Sequence, residues 1–137
     1  MATKPITRKI SGRVLSVDVP IKVDPESGEP VLEPGVLGKA DRAIAALLAQ
    51  EGPVDGESFC FMRRSIGAQA KDLAALLGVS PETVSRWETG ARDVDRFAWI
   101  VLGDLVLEAA GKSIETRARL ERLASGAKPP RERHVEL

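Results

Sequence analysis

Residues 68–90 read Ala-Gln-Ala-Lys-Asp-Leu-Ala-Ala-Leu-Leu-Gly-Val-Ser-Pro-Glu-Thr-Val-Ser-Arg-Trp-Glu-Thr-Gly, and this stretch decides the fold. Leu73, Ala74, Leu76 and Leu77 recur at helical spacing. Gly78 follows where a helix C-cap requires a residue that tolerates positive φ. Ser80 supplies a hydroxyl N-cap, and Pro81 takes the first helical position, where a missing N–H is harmless. The second helix ends at Gly90. Helix, short glycine-containing turn and helix make a helix-turn-helix.

The second helix has two chemically distinct faces. Glu82, Ser85, Arg86 and Thr89 share one side, and Thr83, Val84, Trp87 and Glu88 the other. A polar face carrying an arginine suits entry into a DNA major groove; the plainer alternative is a solvated helix surface. In the DNA reading, Arg86 donates to a guanine edge and Glu82 accepts from a cytosine amine. Thr83, Ser85 and Thr89 contact bases or phosphates, and Arg92 a phosphate.

Residues 59–90 resemble the DNA-binding unit of the Cro/XRE repressor class. The resemblance is carried by Gly67, Leu73-Ala74, Leu77-Gly78-Val79-Ser80 and Val84-Ser85-Arg86-Trp87-Glu88-x-Gly90. It implies a structural ion pair between Arg63, on the preceding helix, and Glu88. The class often places a glutamine at the start of its second helix to touch phosphates. Ala70 stands there, leaving Gln69, one residue earlier, as the candidate contact.

Composition narrows the remainder. The 137 residues fit one compact domain or two small ones, and 43% hydrophobic content supports a core. One cysteine, Cys60, excludes an internal disulfide, and with His134 as the one histidine no Cys/His zinc cluster can form. No apolar run reaches the ~18 residues of a membrane span, and no secretory leader is evident, so a cytoplasmic protein is expected. Gly-rich phosphate loops and Ser/His, Cys/His or metal constellations are also missing from the sequence, so neither an enzyme nor a cofactor is expected. The formal net charge is zero, which predicts modest non-specific affinity for DNA. Residues 1–23 are basic and residues 24–60 acidic, and the acidic part is expected to face away from DNA.

The expected fold is mainly α with a small N-terminal β part: a five-helix Cro-like domain behind a short antiparallel sheet and a linking helix. Residues 1–32 form the β domain, with residues 1–9 as a flexible basic arm. Val17, Val19, Ile21 and Val23 alternate with polar residues or proline, and Pro20 points to an edge strand. Asp24-Pro25-Glu26-Ser27-Gly28 is turn chemistry. Residues 33–52 form the linking helix, with Val36, Leu37, Ala40, Ala43, Ile44, Leu47 and Leu48 as its apolar stripe. Residues 53–112 form the DNA-binding and dimerisation domain. Residues 113–137 give a charged helix and a flexible tail in which His134 is inert.

The last helix of the DNA-binding domain, about 94–110, is apolar on nearly all sides. One stripe closes the core. A second, Trp99, Leu102 and Val106, either forms a homodimer interface or packs within the chain. A two-fold dimer sets half-sites one helical turn apart, ~34 Å.

The order of segments also resembles the MqsA/YgiT-type antitoxin family, in which a small zinc-binding β domain precedes a helical DNA-binding domain. The likeness runs from Val19-Pro20-Ile21-Lys22-Val23 through Asp24-Pro25-Glu26-Ser27-Gly28-Glu29. Asp24 and Ser27 stand where that family has a Cys-x-x-Cys pair, so no metal is expected. The resemblance implies a repressor of its own toxin–antitoxin operon, binding double-stranded operator DNA and a cognate toxin protein. The competing reading is a protein–protein module, toxin-neutralising or adaptor, that no longer reads DNA.

Overall fold

The structure is a computed structural model that describes residues 2–137. It is mainly helical, with a short β part at the N-terminus. Two strands, β1 (Thr3–Ile10) and β2 (Arg13–Pro20), pair antiparallel, and in β2 Leu15, Val17 and Val19 alternate with Ser16 and Asp18. Their alternation puts Ile6, Ile10, Leu15, Val17 and Val19 on one buried face. The two-residue turn between them has positive φ at both Ser11 and Gly12, the geometry that matches the twist of a tight hairpin. Serine seldom adopts φ 51°, and tertiary contacts hold it there. Its Oγ donates to Asp55 Oδ1 at 2.7 Å and shares a hydrogen bond of 3.0 Å with Ser58 Oγ. Its N–H donates to Glu57 Oε2 at 2.9 Å.

Helix α1 (Val36–Glu51) lies between this sheet and the other helices. Its run Ala43-Ile44-Ala45-Ala46-Leu47-Leu48-Ala49 is buried on every side. A helix buried all round is apolar all round, and its alanines let both layers approach closely. The helices α2 (Gly56–Ser65), α3 (Ala70–Leu77), α4 (Pro81–Thr89), α5 (Arg96–Ala109) and α6 (Thr116–Ser125) follow. One continuous core cluster joins the sheet and the helices.

The structure departs from the sequence reading in four places. Residues 3–9 are not an arm: they pair with β2 through the register Thr3↔Pro20 to Ile10↔Arg13. Strand β2 is central rather than an edge, because a C-terminal strand β5 (Glu132–Val135) pairs with it in parallel. Pro20 is tolerated because it ends the strand. The expected tail is therefore part of the sheet. Buried Arg13 fixes it by donating from Nε to the Pro130 carbonyl at 2.8 Å, and His134 Nδ1 lies 3.0 Å from Ser16 Oγ.

Finally, Trp99, Leu102 and Val106 are not exposed. Their relative exposures are 1%, 0% and 1%, because α5 packs on α1, α2 and α6 of the same chain. Arg119 of α6 completes that enclosure. It donates to the carbonyls of Ala49 and Ile100 at 3.0 and 3.3 Å and pairs with Asp104 at 2.5 Å. Gly103 makes room for it: a Cβ there would stand 1.7 Å from Arg119 Nη2.

The 24–28 turn is closed by its own side chains. Asp24 Oδ1 accepts the Glu26 N–H at 2.9 Å, and Asp24 Oδ2 accepts the Ser27 hydroxyl at 3.1 Å. A two-residue ladder of β3 (Lys22–Val23) and β4 (Pro30–Val31) flanks it, and a Lys22–Glu33 ion pair bridges its base.

Candidate nucleic-acid interface

The turn between α3 and α4 forms for local reasons. Gly78 adopts φ 70°, and the N–H of Val79 donates to the Ala74 carbonyl at 3.0 Å, closing the end of α3. Ser80 Oγ then accepts the Thr83 N–H at 3.1 Å, and Pro81 opens α4. Leu73 and Ala74 bury one face of α3, and Val84 and Trp87 one face of α4. Trp87 meets Phe59 of α2 edge-on, with ring centroids 5.7 Å apart.

Two further contacts fix α4. Arg63 and Glu88 form the ion pair that the Cro/XRE resemblance implies, at 2.6 Å. Gly56 lets the start of α2 abut the end of α4, since a Cβ there would lie 2.2 Å from the Trp87 carbonyl oxygen. No local pattern around Gly56 signals this contact, because its partner lies on another helix.

With Val84 and Trp87 inward, Glu82, Ser85, Arg86 and Thr89 point to solvent, as do Arg92 and Gln69. Thr83 is half-buried and shares a 2.9 Å hydrogen bond with Ser80 Oγ. Thr89 donates weakly to the Arg86 carbonyl at 3.4 Å. Among the described residues, the side chains of Glu82, Ser85 and Arg86 make no hydrogen bond within the chain, so their polar atoms stay available. Arg92 is placed by its N–H, which donates to the Arg86 carbonyl at 3.1 Å. Gln69 is the N-cap residue of α3 but makes no capping bond with its side chain.

Cys60 sits behind this unit, half-buried on α2. Burial and then the nearby Glu88 carboxylate push its thiol above the ordinary range, the opposite of an activated nucleophile.

A surface the sequence did not reveal borders α4. Phe97 and Val101 on α5 are 71% and 43% exposed. They flank an open groove of about 520 Å3 whose other walls include Leu77, Val79, Thr83 and Arg92. The sequence signal was present in the all-round apolarity of α5, but it does not say which stripe stays outside.

A helix-turn-helix family model matches residues 62–96. No curated protein and no solved structure matches the chain. Residues 62–96 are thus a helix-turn-helix domain of the XRE type, the type associated with DNA-binding transcription regulation. No helix among the described residues is long and apolar enough to cross a membrane.

Proposed function

We propose that this chain is a sequence-specific transcriptional repressor that acts in the cytoplasm by setting α4 into the major groove of operator DNA. The observation that carries the reading is the free outer face of α4. Arg86 is exposed and unpartnered among the described residues, on a helix whose opposite face is anchored by Val84 and Trp87. A rigid helix with an unengaged arginine suits bidentate readout of guanine. Glu82 accepts from cytosine, Ser85, Thr83 and Thr89 add base or phosphate contacts, and Arg92 and Gln69 hold the backbone.

The repressor works as a homodimer in this reading. The contact is made by Phe97 and Val101 rather than by the buried Trp99, Leu102 and Val106. These two residues adjoin α4, so a two-fold contact there brings two reading helices onto one side of the duplex, with half-sites ~34 Å apart. The resemblance to MqsA/YgiT-type antitoxins supports a narrower role, repression of an operon that also encodes a cognate toxin. Zero net charge and Ala70 favour the rival reading, a protein–protein module without DNA readout.

A salt-dependent gel shift on DNA upstream of the chain's own gene separates the two. Specific binding is expected at moderate salt. It is expected to fall by about 1–3 kcal/mol in Arg86→Ala with the circular dichroism unchanged. Absence of specific binding at low salt would leave the protein–protein module as the reading.

A further inference from the structure

Residues Glu57, Cys60, Phe61 and Arg64 of α2 form one helical stripe facing the end of β1. With Arg8, Lys9 and Ile10 they line a notch of about 250 Å3. We infer that this notch is a second DNA-backbone site, in which Lys9 and Arg64 grip a phosphate flanking the sequence read by α4. The inference rests on the proposed DNA reading.

The charges in the notch are unequal in availability. Arg8 is engaged, with Nε donating to Asp41 Oδ1 at 3.0 Å. Glu57 is engaged as well, accepting the Ser11 N–H. Lys9 and Arg64 are exposed, and neither forms an ion pair or side-chain hydrogen bond among the described residues. The Ser11 amide holds the Glu57 carboxylate without cancelling its charge, but Lys9 and Arg64 outnumber it, so the spare charge of the notch is positive. An arginine fork beside a lysine amine suits the paired oxygens of a phosphodiester.

Position argues for the same occupant. Arg64 lies in the last turn of α2, and its carbonyl accepts the Gly67 N–H at 3.0 Å in the turn leading to α3. Its neighbour Arg63 turns inward to Glu88 and to the Ala68 carbonyl. Consecutive arginines thus divide the work, one fixing the helix-turn-helix and the other facing outward beside it. The start of α3, where a phosphate contact is expected, carries Ala70 and offers only Gln69. Lys9 and Arg64 supply cations beside that gap. In a chain with no net charge, such local cations are what give backbone affinity.

Lys9→Gln/Arg64→Gln in the full-length chain tests this by operator affinity across a salt series. Each lost phosphate contact lowers the slope of log affinity against log salt by about one. Between 50 and 200 mM salt, the wild-type affinity should then fall about three- to fourfold more than that of the double variant, for the one phosphate lost. Operator and unrelated DNA should weaken by the same factor at low salt, because phosphates carry no sequence. Lys9→Arg/Arg64→Lys, which keeps both charges, should retain the wild-type slope. An unchanged slope in the Gln variant, while Arg86→Ala still weakens specific binding, would overturn this inference alone. Absence of operator binding by the wild type would remove the α4 reading and this one together.

Discussion

Arg63 closes both arms of its guanidinium on Glu88: Nε donates to Oε2 at 2.6 Å and Nη2 to Oε1 at 2.8 Å. Both side chains are 11% exposed. Nη1 donates to the Ala68 carbonyl at 2.9 Å, so one side chain ties the end of α2, the turn before α3 and the end of α4. The hydrogen bond to Glu88 holds the Arg63 guanidinium even more firmly protonated than usual. The guanidinium therefore stays charged at every accessible pH, and the pair acts as a brace.

Removing the carboxylate leaves a buried arginine unpaired, a change that costs about 3 kcal/mol. Glu88→Ala should lose about that much in urea denaturation, and it should weaken operator binding without touching a base. A loss below about 1 kcal/mol would place the pair among ordinary surface ion pairs.

Arg13 holds the C-terminal strand by an equally specific set of bonds. The residue is 3% exposed. It donates to the carbonyls of Pro130 and Gly52 at 2.8 and 2.6 Å and to Glu51 Oε1 at 2.7 Å. The other Glu51 oxygen accepts from Arg133 at 2.8 Å. Arg13→Met should destabilise by about 3 kcal/mol, because Glu51 is left buried with a single exposed partner. Hydrogen exchange should then show loss of amide protection concentrated in residues 132–135 and the facing part of β2, with α3 and α4 keeping theirs. Unchanged protection in residues 132–135 would show that the ladder alone retains the strand.

These two arginines mark what was legible in the sequence. The α3–α4 unit is specified by residues adjacent in the chain: Gly78 ends one helix, while Ser80 and Pro81 start the next. Local chemistry of this kind can be read directly, and so the exposed face of α4 agreed with the periodicity. The Arg63–Glu88 pair was implied only by the resemblance to the Cro/XRE class, since its partners lie on different helices.

Strand β5 depends instead on Arg13, which reaches the Pro130 carbonyl 117 residues along the chain, and nothing in Glu132-Arg133-His134-Val135 alternates strongly enough to announce it. The misplaced stripe on α5 has the same origin. Trp99, Leu102 and Val106 need cover, and periodicity does not identify the coverer. The cover includes α6, whose sequence looks like a solvated charged helix, because buried Arg119 satisfies its guanidinium on backbone carbonyls and Asp104. The N-terminal strand was misread because Lys4, Arg8 and Lys9 obscure the alternation that buries Ile6 and Ile10.

The 24–28 turn gives a prediction in which pH is the variable. The Glu26 N–H, and next the Ser27 hydroxyl, donate to the Asp24 carboxylate and hold its pKa below the usual carboxylate range. A pKa lowered on folding means that the ionised form favours the ordered turn. That contribution is fully present above the unfolded-state value of about 3.9, and it is lost as pH falls through the lower folded value. The turn should therefore stay ordered at neutral pH and slacken only in strong acid, without a global transition. The Asp24 side-chain carboxyl carbon resonance, followed by NMR, should titrate with a midpoint below the ordinary aspartate value. Ser27→Ala, which removes one donor, should move that midpoint up. A wild-type midpoint at or above the ordinary value would mean that the two donors do not favour the charged carboxylate, and that the turn is held by its backbone alone.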